Sequence, residues 1–439
     1  MKKSLTGSAP FALLLLAAGF AAAGSAAADA AAPTPAPFFV ANWNVENLYD
    51  AVDDPDNDGD DEFLPNNVTT RWTQVRYETK LDNLAQVISG MNGGEGPDVL
   101  GLQEVENEDV VRDLVDRLPN KRYGIVHSDS PDFRGIDTAM IFNRGRFSLL
   151  ESHAYKIPLK WGDTRDILHA VLEDRDDDKL HVLVNHWPSR GGGIEASEMK
   201  RVVAARALAK AIERIYRREP AARIVVLGDF NDEPSDRSIR DVLDVEFYPS
   251  TSGEYDPAKI YNLASGKAEE GWGSFHHSFR GNVEWRMYDQ IMASGALLQN
   301  AGGRRSEISL WVDKPAFMVE ERGRDKGAPV PTFENQEDYQ GGYSDHFPIG
   351  VRFAYLDAGG DKVPSPAKVA APAQPAPANP APAKAAPAEA SAAADSPAKV
   401  RASVPEAAAA AADRPSASRT KPARPAAAKK TEFDEPVVW

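Results

Sequence analysis

The sequence predicts an α/β fold in which β-sheets are covered by helices. Three observations carry that reading. Short, apolar, β-branched runs recur between residues 38 and 355. Longer stretches of helical period lie among them, and turn residues bound both kinds of segment. Strands interleaved with helices pack as sheets whose faces the helices bury.

The elements follow in chain order. Lys2 and Lys3 precede an apolar stretch at 11–20, and Ala26-Ala27-Ala28 fits a small-x-small cleavage site, so residues 1–28 read as a secretory signal peptide. The apolar run is shorter than the ~20 residues a membrane-spanning helix needs. Export, to the periplasm or the medium, is the expectation, with no stable membrane insertion. The runs "FFVANWNV", "PDVLGLQEV", "DTAMIF", "KLHVLVNHW", "RIVVLGDF" and "MYDQIMAS" read as strands. Residues 71–88 read as a helix, with Val75, Leu81, Leu84, Val87 and Ile88 near one face. A second helix, 196–216, sets Val202, Ala205, Leu208, Ala209, Ile212 and Ile215 on one face and meets Glu219-Pro220 near its end. One folded unit, 38–356, is expected. From 357 to 439 the composition turns to Ala, Pro, Lys and Ser. Such a tail has too few apolar side chains to offset its ordering entropy, so a disordered, semi-stiff spacer is expected. Its closing "TEFDEPVVW" reads either as a docking motif with an unidentified partner or as plain tail.

Composition narrows the function classes. The 439 residues carry 50 Lys+Arg against 66 Asp+Glu, a formal charge of 50 − 66 = −16. That balance argues against a bulk-electrostatic nucleic-acid binder, though not against an enzyme that meets polyanions through a bound cation. With no cysteine in the chain, thiol nucleophiles, disulfides and thiolate-held metals are excluded.

The informative feature is where polar residues interrupt the apolar runs. Asn44 follows "FFVANW", Glu104 follows "VLGLQ", His186 follows "HVLVN", and Asp229 and Asn231 follow "IVVLG". Asp289 lies in "MYDQIM", and Asp345-His346 precede "FPIGV". Any one of these alone reads as a cap or turn residue. Six together, each at a strand end where a site can be built, point to chemistry.

These motifs, "NWNVENL", "LGLQEVEN", "NHWPSR", "LGDFND", "YDQI" and "SDHFPI", occur in the order seen in the endonuclease/exonuclease/phosphatase superfamily, which the chain resembles over residues 38–353. The resemblance implies a four-layer α/β/β/α sandwich of two mixed β-sheets flanked by helices, with the site at one end. It implies that Asn44, Glu104 and Asp345 form a metal site, whose hard oxygens suit Mg²⁺ or Mn²⁺. Asp229 then orients or deprotonates the attacking water, and Asn231 holds a phosphate oxygen. His346 lies against the phosphate with Asp289 on its other nitrogen. His186 becomes a general-acid candidate, a position that is asparagine in abasic-site endonucleases.

Lesser candidates keep two readings each. Arg165 resembles the family's phosphate-contacting arginine, or forms a surface ion pair with Asp163 or Asp166. Arg134 and Arg190 sit on glycine-containing loops that bring guanidinium near phosphate, or are ordinary exposed arginines. His276 and His277 read as solvated, and His127, His153, His169 and His181 as packing or surface residues. Trp161, Trp187, Trp272 and Trp285 either stack on bases or fill the core. In "DDPDNDGDDEF", the residues Asp54, Asp56, Asp58, Gly59 and Asp60 match the first half of an EF-hand loop, but Pro65 stands where its closing Glu belongs. A looser Ca²⁺ site competes with a solvated acidic loop.

The sequence therefore reads as an exported, divalent-metal-dependent phosphodiesterase, a monomeric nuclease acting on DNA or RNA with little sequence preference. The competing readings keep the site for a sphingomyelin headgroup or a small phosphoester, or use the fold as a non-catalytic, calcium-dependent envelope module. The last predicts decay of the polar set, all of which is present.

Overall fold

The computed structural model describes residues 36–355 except 56, 120–121, 161, 250–253, 280–281, 300–305 and 335–337. The expected signal peptide, the tail, Asp56 and Trp161 lie outside the described residues.

The chain runs through β1 (Phe38–Leu48), α1 (Gln74–Gly90), β2 (Val99–Val105), α2 (Glu108–Arg117), β3 (Tyr123–His127), β4 (Asp137–Asn143), β5 (Ser148–Tyr155), β6 (Ile167–Glu173), β7 (Lys179–His186), α3 (Ile194–Arg218) and β8 (Ile224–Asp229). It continues through β9 (Glu246–Phe247), β10 (Ile260–Asn262), β11 (Phe275–Phe279), β12 (Asn282–Arg286), β13 (Asp289–Ser294), β14 (Ser306–Val312), β15 (Phe333–Glu334), β16 (Asp338–Tyr339) and β17 (Ile349–Tyr355), with short helical turns between. Among the described residues, one sheet has the order β14-β17-β1-β2-β4-β3 and the other β5-β6-β7-β8-β13-β10-β9. Both are mixed: β1 runs parallel to β2 and antiparallel to β17, and β7 runs parallel to β8, which is antiparallel to β13.

The sheets pack face to face, β1 and β2 against β7, β8 and β13. Val184 and Leu227 close on Gly101 of β2, where a Cβ would lie 3.2 Å from Val184 Cγ1 and 2.2 Å from Leu227 Cδ1, and both are fully buried together with Ile291, the partner of Leu227 on β13. Helices α1 and α2 cover the first sheet, and α3 lays Ala205, Leu208 and Ile212 over Leu183, Ile224 and Val226 of the second. The result is the four-layer α/β/β/α sandwich. Among the described residues, no helix is long and apolar enough to cross a membrane.

Local sequence explains the boundaries. Thr73 caps α1, its side chain accepting from the Arg76 amide, so the helix begins later than residue 71. Val75 is consequently exposed, and the buried face is Tyr77, Lys80, Leu81, Leu84, Ala85, Val87 and Ile88. Ala209 lies beside the buried face of α3 rather than in it. Helix α2 is not among the two expected helices, though its signal is present: Asn107 accepts from the Asp109 and Val110 amides, and Val110, Val111, Leu114 and Val115 recur at helical spacing.

Outside the site, imidazoles line adjacent strands β5, β6 and β7. His169 Nε2 lies 3.1 Å from His181 Nδ1, and Tyr155 Oη lies 3.2 Å from His169 Nδ1. Burial, reinforced by His181 and His153, lowers His169 to about 3. The unfolded chain therefore binds more protons than the folded one between pH 6.5 and about 3, so this contribution to stability, full above pH 6.5, is lost on acidification. The loss amounts to on the order of a few kcal/mol. Denaturant unfolding at pH 7 and pH 5 should show it, and His169→Gln should flatten the difference. An unchanged pH slope in that variant would assign the acid sensitivity elsewhere.

Candidate active site

Three neighbouring strands end together. His186 closes β7, Asp229 closes β8 and Asp289 opens β13, and register pairs Asp229 with both of the others. Gly228 makes the close approach of β7 and β8 feasible. Its φ is +150°, and a Cβ there would lie 2.1 Å from the Asn185 carbonyl oxygen. The facing sheet contributes Asn42 and Asn44 from β1 and Gln103 and Glu104 from β2. Backbone irregularities aim these groups. The β1–β2 register jumps between Asn44 and Leu48, and Glu46, Asn47 and Glu104 adopt positive φ of 53°, 54° and 64°. Asn231 does so as well, at 51°. Four of the eight non-glycine residues in this strained region among those described therefore border one cleft.

A buried relay fixes His346. Its Nδ1 lies 2.6 Å from Asp289 Oδ2, which also accepts from Ser274 Oγ at 2.6 Å. Asp289 Oδ1 accepts from Asn42 Nδ2 at 3.1 Å, and Asn42 Oδ1 accepts from Gln103 Nε2 at 2.8 Å. The SDH segment is tied to β1 as Ser344 Oγ donates to the Asn44 carbonyl and Trp43 Nε1 donates to the His346 carbonyl. With Nδ1 engaged, His346 turns Nε2 towards Asp229 Oδ2, 4.0 Å away. Burial opposes charge on His346, but Asp289, Asp345 and Asp229 outweigh it and hold the imidazolium well above its ordinary range.

Asp229 is itself buried, and its Oδ2 accepts from Asn44 Nδ2 (3.1 Å) and Asn231 Nδ2 (3.3 Å). Burial, with Asp289 adjacent, pushes its carboxyl above the usual range despite His346. His186 Nε2 lies 3.7 Å from both Asp229 Oδ2 and Glu104 Oε1, while Nδ1 is buried with no hydrogen-bond partner. Burial, then Arg165, Arg134 and His346, hold its imidazolium well below the ordinary range, the opposite direction to His346.

The donor set fits a hard cation in part. Glu104 and half-buried Asp345 supply carboxylates, and burial with Glu104 nearby raises Asp345. Asn44 Oδ1 accepts from the Glu46 amide at 3.0 Å, and its NH₂ group donates to Glu104 Oε1 (3.3 Å) and Asp229. Asn44 thereby orients both carboxylates. Beneath them lies a pair that the sequence reading missed, Lys80 and Glu46, 3.9 Å apart and both buried. Burial lowers Lys80 and raises Glu46, and the Glu46 carboxylate accepts from the Thr332 and Phe333 amides. Their signals were present, as the polar alternation Asn42-Asn44-Glu46 on one strand face and a lysine on the apolar face of α1.

The three arginines separate. Arg165 is buried, donating to Asp132 Oδ2 and the Trp187 carbonyl at 2.9 Å each, so its ion-pair partner is Asp132 rather than Asp163 or Asp166. Arg190 is likewise occupied, by the Asn231 carbonyl, Asp232 and Asp236. Arg134 alone keeps a side chain 37% exposed, 3.9 Å from Glu104 Oε1. Among the tryptophans, Trp187 is core, while half-buried Trp285 lies under Lys314, whose Nζ is 3.9 Å from the ring centroid. His276 packs against Trp285 rather than lying in solvent.

Comparison with known proteins places this arrangement. None of the curated proteins matches the chain. Among solved structures, TDP2 from C. elegans is similar at 15% identity, covering 72% of this chain and 75% of that one with a TM-score of 0.46. The D. rerio TDP2 complexed with single strand DNA product is 18% identical, with 73% and 99% covered and a TM-score of 0.46. The Bacteroides thetaiotaomicron mannosyl-6-phosphatase is 16% identical, with 72% and 99% covered and a TM-score of 0.44. The family model described as "Endonuclease/Exonuclease/phosphatase family" matches residues 39–355, the whole sandwich, and so the chain belongs to the endonuclease/exonuclease/phosphatase family of phosphoesterases.

Proposed function

We propose that the protein is an exported, divalent-metal-dependent phosphodiesterase, a nuclease that cleaves DNA or RNA with little sequence preference. The observation that carries the reading is the cluster of His346, Asp229, His186 and Glu104 where the two sheets meet, each 3.7–4.0 Å from a neighbour. Export rests on the N-terminal sequence pattern.

The residues divide the work of in-line hydrolysis. Asp229, held by Asn44 and Asn231, takes a proton from water as the water oxygen bonds to phosphorus. His346, charged through Asp289, donates from Nε2, first as a hydrogen bond to the phosphoryl group and then as the proton that the departing alkoxide requires as the P–O bond breaks. His186, at the end of β7, turns Nε2 towards Asp229 and Glu104 and orients the reacting groups there. Arg134 brings a guanidinium to the mouth, where a backbone phosphate enters. Glu104 and Asp345 would hold Mg²⁺ or Mn²⁺, which when bound offsets charge on the phosphoryl oxygens.

Incubation of the purified protein with supercoiled plasmid and Mg²⁺ should give nicked and linear DNA, and a chelator should stop the reaction. Sphingomyelin assayed in parallel should remain intact. Hydrolysis of sphingomyelin with untouched plasmid would overturn the substrate assignment.

A further inference from the structure

The segment from Asp53 to Glu62 contains seven acidic residues among ten and no basic one. Sequence spacing suggested Asp54, Asp56, Asp58 and Asp60 as calcium ligands. The structure selects differently: one oxygen each from Asp53, Asp60 and Asp61 lies within 4.8 Å of the others. Of Asp54, Asp58 and Asp60, the described members of the spaced set, Asp60 enters this group, and the 3₁₀ turn beginning at Asp61 sets that residue beside it.

Asp60 is what distinguishes the group from a solvated acidic surface. It is 2% exposed, and its Oδ2 accepts from the Asp54 amide at 2.8 Å, yet its Oδ1 is buried with no hydrogen-bond partner. A buried carboxylate oxygen without a protein donor is costly unless a cation completes it. Burial pushes its carboxyl up, and Asp53 and Asp54 add to the shift. Oxygen-only donors on an irregular loop, with two members open to water, suit a cation that accepts six to eight flexible oxygen ligands.

We infer that Asp53, Asp60 and Asp61 form a second, structural cation site for Ca²⁺, distinct from the hydrolytic cleft. Its location gives it a consequence. A Cβ on Gly59 would lie 2.4 Å from the Phe133 carbonyl oxygen, and one on Gly135 would lie 1.7 Å from Asn57 Nδ2. The acidic loop is thus packed directly on residues 133–135, and Tyr49 Oη holds the Arg134 carbonyl at 2.5 Å from the other side. Calcium in the acidic loop stiffens the backing of Arg134, the exposed guanidinium at the cleft.

The test uses the full-length protein, stripped of metal and titrated with CaCl₂ alone. Calorimetry should show a calcium site that persists in Glu104→Gln, and Ca²⁺ should raise Tm by about 2–4 °C. Asp60→Asn should weaken binding at least tenfold. Because that buried variant can misfold, Asp53→Asn/Asp61→Asn, altered only at exposed positions, should do the same. Amide exchange at residues 133–135 should slow with Ca²⁺ in the wild type and not in the double variant. Undiminished calcium binding in Asp53→Asn/Asp61→Asn, or loss of all calcium binding in Glu104→Gln, would overturn the assignment. Neither outcome depends on whether the cleft hydrolyses nucleic acid.

Discussion

Asp229→Asn should lower phosphodiester hydrolysis by about 10²–10⁴-fold, the usual contribution of a positioned acid–base group, while leaving the protein folded. The substitution keeps the shape of the side chain and removes the only feature that burial opposes. Because the folded carboxyl is raised above its unfolded value, its ionised form at neutral pH costs stability rather than adding it. Tm should therefore hold or rise as activity falls, the expected trade at a site built for chemistry. Plasmid nicking and thermal unfolding measured on the same preparation check both halves. An active Asp229→Asn protein would remove the proposed base, and an unfolded one would mean that Asn44 and Asn231 cannot accept an amide there.

Arg165→Ala and Arg134→Ala should fail in opposite ways. Arg165 is buried between Asp132 and the end of β7. Removing it takes from buried Asp132 its 2.9 Å charge partner and leaves only Arg134 Nε, at 3.8 Å, in that role, and breaking a buried pair in this way costs about 3–5 kcal/mol. Denaturant unfolding should register that loss. The Arg134 side chain is 37% exposed and meets Asp132 and Glu104 only at 3.8 and 3.9 Å, so its removal should leave stability within about 0.5 kcal/mol of wild type and instead raise KM for a polyanionic substrate. Equal stability of the two variants would show that Arg165 is not held by a structural pair.

That contrast marks how far sequence carries. Residue type and strand-end position sufficed to nominate Asn44, Glu104, His186, Asp229, Asn231, Asp289, Asp345 and His346, and the fold does bring them into one cleft. Period and composition likewise gave the α/β class, because alternation along strands and helical spacing are properties of contiguous residues. Partnerships between distant segments were illegible. Nothing in "PSRGGG" says that Arg190 is consumed by Asp232 and Asp236, and nothing in "NWN" says that the Asn44 oxygen turns to the Glu46 amide.

By itself, then, the sequence determined which chemical groups are available and on which kind of element each stands. The tertiary structure alone decided in which direction each cleft histidine is shifted, which arginine stays exposed, and which three described aspartates crowd together in the acidic loop. The physical reason is that protonation, pairing and burial depend on distance through space. Asp289 reaches His346 across 57 residues of chain, and no local pattern records that approach.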